Sequence, residues 1–200
     1  MIAFLLKSHY SIKPITETLS MYQNILPKGA KVLVDSQTIA DTTQALANQI
    51  NQDYQGKEVV FLTIMNGGMI FASDLSKKLN IDMEMDYLQL SRYGSGQTGG
   101  ELIWKYQPET VMQNRHVILC DDIYDQGHTL EAAHAWCKKK GALTVKSAVL
   151  VHKEHDREYA AYQADYIALT IEDHFIFGYG MDLDEKLRQL PEIYFMPPKA

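Results

Sequence analysis

The sequence predicts an α/β fold in which a mostly parallel sheet is flanked by helices. Three observations predict it. Short apolar runs (EVVFLTI from Glu58 to Ile64, VILC from Val117 to Cys120, LTVKSAVLV from Leu143 to Val151) have the continuous character of strands buried on both faces. They alternate with segments of helical period, the order that builds crossover units. Two of the strands run straight into a turn containing glycine and then a helix. Two such turns on neighbouring strands could face one another across a crevice.

The 200 residues fit one domain. An apolar share of 46% and a modest charged share describe a soluble globular chain. The net charge of -6 argues against a nucleic-acid-binding surface. Cys120 and Cys137 fall on a predicted strand and a predicted helix, which suggests reduced, buried thiols in a cytosolic protein. The opening MIAFLL is broken by Lys7 and is too short for a signal-peptide core, and no apolar run approaches a membrane span. There is no internal repeat.

Taken in order, residues 1–30 are punctuated by Pro14, Pro27 and Gly29 and read as an extension that packs on the domain or on a partner subunit. Residues 31–34 form a short strand. Ser36 is the expected N-cap of a helix reaching about Tyr54, with Ile39, Leu46 and Ile50 on one face. Glu58 to Ile64 is a central strand. Met65, Asn66, Gly67 and Gly68 follow, where glycine permits close backbone approach or positive φ, and a helix runs from about Met69 to Leu79. Residues 83–90 give a strand. SRYGSGQTGGEL, residues 91–102, is rich in glycine and reads as the mobile tip of a hairpin, either a lid or a loose surface hairpin, with Leu102 to Tyr106 as the returning strand. After the strand at 143–151 come His152, Lys153, Glu154 and His155, and residues 164–171 give a further strand.

The stretch from His116 to Leu130 (HVILCDDIYDQGHTL) carries the chemistry. An apolar strand runs into the acidic pair Asp121 and Asp122, then Asp125, Gln126, Gly127, His128 and Thr129. Leu130, Ala133 and Cys137 share one face of the helix that begins there, Lys138, Lys139 and Lys140 occupy its last turn, and Gly141 stops it. A helix start with free N–H groups and a small hydroxylated residue is an anion site, and phosphate is the usual anion. Carboxylates beside it repel phosphate unless they bind sugar hydroxyls or a divalent cation. The pairs His134/Cys137 and His152/His155 lack a further ligand set and read as surface or core histidines rather than metal ligands.

VILCDDIYDQGHTL resembles the phosphoribosyl-pyrophosphate (PRPP) signature of type I phosphoribosyltransferases, with Gln126 where that signature has threonine. A second match, DHFIFGYGMD at residues 173–182, agrees at Asp173, Phe175, Gly178, Tyr179 and Asp182 with the 6-oxopurine branch, the hypoxanthine-guanine phosphoribosyltransferases. The similarity spans about residues 35 to 195. It implies the type I phosphoribosyltransferase fold as a single domain: a core over about 31–170, a small hood from the N-terminal segment and about 171–200, and a flexible β-hairpin lid.

The resemblance further implies purine salvage: PRPP and a purine base give a nucleotide and pyrophosphate. Asp121 and Asp122 would bind the ribose hydroxyls, and the stretch Asp125, Gln126, Gly127, His128 and Thr129 the 5′-phosphate. Asp125 would act as general base at the imidazole edge of the purine. Asn66, Gly67 and Arg188 would meet pyrophosphate, and the Met65–Asn66 peptide would be cis. Arg92 and Tyr93 would belong to the lid. Phe175 would stack on the base, the main chain of Ile176 would read its edge, and either His152 or Lys153 would donate to its 6-oxo group. With His152 as donor, base affinity would fall as pH rises through the histidine pKa. Asp182 would belong to the purine site and, with Asp121 and Asp122, hold Mg2+ near the pyrophosphate. A cytoplasmic homodimer or homotetramer, with neither nucleic acid nor membrane as partner, completes the expectation. The departures at Asn66, Gln126 and His152 leave room for a regulator of the same fold that binds PRPP or nucleotide without turnover. A phospho-accepting receiver domain fits poorly, because its acidic pair follows the first strand.

Overall fold

The computed structural model describes residues 21–92 and 102–197. Six strands form the central sheet: β2 (Glu58–Met65), β3 (Asp82–Arg92), β4 (Leu102–Tyr106), β5 (His116–Tyr124), β6 (Thr144–Glu154) and β7 (Tyr166–Glu172), in the order β4-β3-β2-β5-β6-β7. All neighbours are parallel except β3 and β4, which pair antiparallel as an edge hairpin. The three helices among the described residues are α1 (Ser36–Asp53), α2 (Met69–Ser76) and α3 (His128–Lys139).

Side chains of a strand alternate between faces, and β2 shows what each face meets. Val59 and Phe61 pack in one core layer with Ile39, Leu46 and Ile50 of α1 and Phe71 and Leu75 of α2. Val60 and Leu62 pack in the other with Leu130, Ala133 and Cys137 of α3. Helices on both faces are why β2, β5 and β6 read as unbroken apolar runs. The structure corrects two boundaries. The α1 cap is Asp35, whose carboxylate accepts the Thr38 N–H at 2.8 Å, and Ser36 is the first helical residue. Helix α2 stops at Ser76, short of Leu79.

A second, three-stranded sheet draws on distant parts of the chain, with β1 (Lys31–Val34), β9 (Ile193–Phe195) and β8 (Ile176–Phe177) in the order β1-β9-β8, antiparallel throughout. It has its own small core of Phe177, Leu190 and Tyr194. The Tyr179 hydroxyl donates to Asp74 of α2 at 2.6 Å and so fastens this layer to the main one.

Candidate active site

A cavity of about 540 Å3 lies where β2, β5 and β6 end at their C-terminal edge, closed on the far side by residues of the segment 175–188. This is the place an open parallel sheet offers a ligand. Three glycines let the walls meet there. The Met65–Asn66 peptide is cis. A Cβ on Gly67 would lie 2.2 Å from the Asp122 carboxylate, and one on Gly68 2.7 Å from the Cys120 carbonyl. Gly180, at φ 104°, would drive its Cβ to 2.3 Å from the Gly67 carbonyl. Backbone from the first turn, the acidic pair and the far wall therefore touch without side chains between them.

Asp121 and Asp122 lie near the C-terminal end of β5, two residues before Tyr124 closes the strand, buried and adjacent, with Asp121 Oδ1 accepting the Asp122 N–H at 3.0 Å. Burial disfavours the charged form of both, and the charge on Asp122 pushes the Asp121 carboxyl still further above the ordinary carboxylate range. The Arg188 guanidinium works in the opposite direction on Asp122. Burial thus works against a doubly charged pair, and ligand hydroxyls or a cation would favour its ionised form.

The second turn follows β5. Gly127 sits left-handed at φ 84° and caps α3 without a side chain, its missing Cβ leaving room for the Tyr124 ring. The first helical hydrogen bond runs from the Glu131 N–H to the Gly127 carbonyl at 2.9 Å. Among the described residues the N–H groups of Gly127, His128 and Thr129 donate to no protein acceptor, as a helix start requires. They line the cavity together with Asp125 and Gln126. This corner can hold a phosphate.

Around Asp125 the structure adds residues that the sequence did not single out for this role. Arg157 Nη2 donates to Asp125 Oδ1 at 2.8 Å and to Asp173 Oδ1 at 2.9 Å. Lys153 Nζ pairs with the same Asp173 oxygen at 2.8 Å, and that hydrogen bond holds the Asp173 carboxyl below the usual range. His155, expected as a plain surface or core histidine, has a buried side chain with Nε2 2.9 Å from Asp125 Oδ1 but without a hydrogen bond to it. Among the described residues no metal-holding group of three acidic, histidine or cysteine side chains occurs.

The two candidates after β6 separate. Lys153 is buried and lines the cavity. His152 does not line it, and its ring packs on Tyr124 and Tyr159, where burial pushes its pKa down. On the opposite wall Phe175 is 60% exposed although it is aromatic and lines the cavity beside Ile176. Asp182 and Arg188 also line it, paired at 2.6 Å. Asn66 stays off the lining, with its Oδ1 accepting from Gln89 at 3.3 Å. Of the lid, Arg92 is the last residue of β3. Its side chain, and Tyr93 with the hairpin tip, lie outside the described residues.

Comparison with known proteins gives one consistent result. Residues 29–186 match the phosphoribosyl transferase domain. A hypoxanthine-guanine phosphoribosyltransferase of Streptococcus pneumoniae is 35% identical over 164 residues, covering 82% of this chain and 91% of the relative. One of Streptococcus thermophilus is 34% identical over the same coverage. Among solved structures, a hypoxanthine phosphoribosyltransferase of Staphylococcus aureus superposes with a TM-score of 0.80 at 29% identity, covering 89% of this chain and 95% of that one.

Proposed function

This chain belongs to the phosphoribosyl transferase family, and we propose on that premise that it makes purine nucleotides, transferring the 5-phosphoribosyl group of PRPP to hypoxanthine or guanine with release of pyrophosphate. The observation that carries this reading is convergence in one cavity. A buried acidic pair, a helix start with unused N–H groups, an exposed aromatic ring and a lysine face the same space. A phosphorylated sugar joined to a planar base uses all four.

In this reading Asp121 and Asp122 accept hydrogen bonds from the ribose hydroxyls, and Gly127, His128 and Thr129 hold the 5′-phosphate. Gln126 would take part through its main-chain N–H, while its carbonyl accepts the Ala160 N–H at 2.7 Å and holds the turn in place. Phe175 stacks on the base, the main chain of Ile176 reads its edge, and Lys153 donates to the 6-oxo group. Asp125 takes the proton that the purine ring nitrogen loses as it bonds to the anomeric carbon, while the bond from that carbon to pyrophosphate breaks. Gly67 and Arg188 meet the leaving pyrophosphate, with Asn66 at the margin, and the lid role of Arg92 and Tyr93 belongs to the same reading. Mg2+ fits this site as a partner shared between protein and substrate, since it commonly takes one or two carboxylates and fills its shell with phosphate oxygens, and Asp121, Asp122 and Asp182 line one cavity. When bound it neutralises pyrophosphate charge and improves the leaving group. The free, buried thiols at Cys120 and Cys137 support a cytoplasmic location, and a homodimer or homotetramer belongs to the same reading.

The test offers hypoxanthine, guanine, xanthine and adenine separately with PRPP and magnesium. Turnover with 6-oxopurines is expected, reduced about 10²–10⁴-fold in Asp125→Asn. With Lys153 rather than His152 as donor, the KM for base stays flat between about pH 6 and 8. PRPP binding by calorimetry without turnover of any base would replace the enzyme by a regulator of the same fold.

A further inference from the structure

Asp125 is half-exposed, yet its carboxylate is anchored from a segment outside the turn that carries it. Residues 155–165, after β6, are stapled over the second turn. Ala160 donates to the Gln126 carbonyl at 2.7 Å, Ala161 to Glu131 Oε1 at 3.0 Å, and the Tyr124 hydroxyl to the Tyr162 carbonyl at 3.2 Å. The Tyr159 ring lies flat on His155, centroids 4.3 Å apart and 9° from parallel, and its hydroxyl donates to the Lys153 carbonyl at 2.7 Å. The segment is thereby tied to both the turn with Asp125 and the strand end with Lys153.

From this support Arg157 reaches two carboxylates through one nitrogen, forming the chain Asp125–Arg157–Asp173–Lys153 with links of 2.8, 2.9 and 2.8 Å. Its two ends line the cavity, while Arg157 and Asp173 stand behind the wall. Both nitrogens near Asp125, from Arg157 and His155, lie at Oδ1, and among the described residues Oδ2 accepts no hydrogen bond. We propose that Arg157, backed by His155, is a positioning residue that locks Asp125 by Oδ1, leaves Oδ2 as the proton acceptor, and fixes its distance from Lys153. The inference rests on the nucleotide-forming reading above.

Physical reasons favour geometry over stability as its purpose. Arg157 and Asp173 have side chains 43% and 44% exposed, and ion pairs that open contribute little to folding. A planar guanidinium, in contrast, defines direction as a flexible ammonium does not. Proton transfer needs a donor–acceptor separation within hydrogen-bond reach, and a misplacement on the order of 1 Å can cost about a hundredfold in rate. Arg157 also solves a problem at the base. When Lys153 turns one of its donors to a 6-oxo group its hold on Asp173 weakens, and Arg157 keeps Asp173 paired with a cation.

The experiment measures kcat and both KM values for the wild type, Arg157→Ala, Arg157→Lys and Asp173→Asn, with guanidinium ion titrated into the alanine variant. Arg157→Ala is expected to lower kcat by about 10- to 100-fold and raise the KM for base, with the KM for PRPP moving less than about twofold. Guanidinium ion should restore part of kcat, and Arg157→Lys should fall between wild type and alanine. Asp173→Asn should alter the KM for base with little change in kcat. Wild-type constants in Arg157→Ala overturn the proposal, as does a loss shared equally by both substrates and rescued neither by lysine nor by guanidinium. A wild type that turns over no base fails the functional reading itself, which the variant series leaves separately visible.

Discussion

After β2 the chain turns through the cis Met65–Asn66 peptide and Gly67–Gly68, and after β5 it turns through Asp125, Gln126 and the left-handed Gly127. Both turns start a helix at the same cavity, yet their glycines answer different demands. Gly68 has an ordinary right-handed conformation at φ -63°, and what forbids a side chain there is neighbouring backbone of β2 and β5. The first turn also uses its own donors, with Gly68 bonding to the Ile64 carbonyl at 3.0 Å and Met69 to the Asn66 carbonyl at 3.3 Å. The second turn keeps the N–H groups of Gly127, His128 and Thr129 unspent, and its glycine supplies a conformation. The first turn is thus a packing joint that presents little but the main chain around Gly67, and the second is an anion cradle. Two similar-looking glycine turns divide fold and chemistry between them.

Four substitutions would break or sharpen that contrast. Gly68→Ala meets carbonyls at 2.7 and 2.8 Å, so unfolding in urea should show a loss of about 3 kcal/mol. An unchanged midpoint would remove the packing role. Gly127→Ala combines positive φ with a Cβ 2.5 Å from the Tyr124 ring, and about 1–3 kcal/mol of strain should appear beside a KM for PRPP raised about tenfold. A variant that loses stability but keeps its KM would make this turn a mere joint as well. Asp121→Asn should raise that KM while stabilising the empty protein. Because burial raises the folded pKa of both acids, the folded chain holds protons that the unfolded chain releases above about pH 4. Stability from this source is present at low pH and is lost as pH rises through the raised folded values. The asparagine should flatten that slope and lift Tm at neutral pH, by about 2–4 °C for each kcal/mol relieved. Asn66→Lys, last, adds a cation to the first turn and should lower the KM for PRPP only about two- to fivefold, an effect that fades with salt.

The parts legible in the sequence are those written locally. The alternation of buried strands with helices, the acidic pair ahead of Gly127, and the apolar face of Leu130, Ala133 and Cys137 all lie within short stretches of chain. The choice between His152 and Lys153 was not legible, for a definite reason. Strand β6 is buried on both faces, so its apolar run carries no alternation from which to count which of its last residues points into the cavity. The Arg157 link was hidden differently, because Asp125, Arg157 and Asp173 meet only in the folded chain and Arg157 alone looks like a solvated surface charge. At the α1 start, Asp35 and Ser36 are both good caps in adjacent positions, and sequence pattern resolves such ends no better than a residue or two.

The contact of Gly180 with the Gly67 carbonyl bears on how such a chain can change by descent. Gly180 cannot acquire even a methyl group while the Gly67 carbonyl stays in place, and a methyl group on Gly67 would run into the Asp122 carboxylate. A departure at either must wait for a movement of what it meets, so single mutational steps are closed to both. One residue away, Asn66 lies off the lining with its side chain on Gln89 and is open to replacement. The variation that tunes this site over generations therefore has its entrance at the rim of the first turn, beside a seam that stands still.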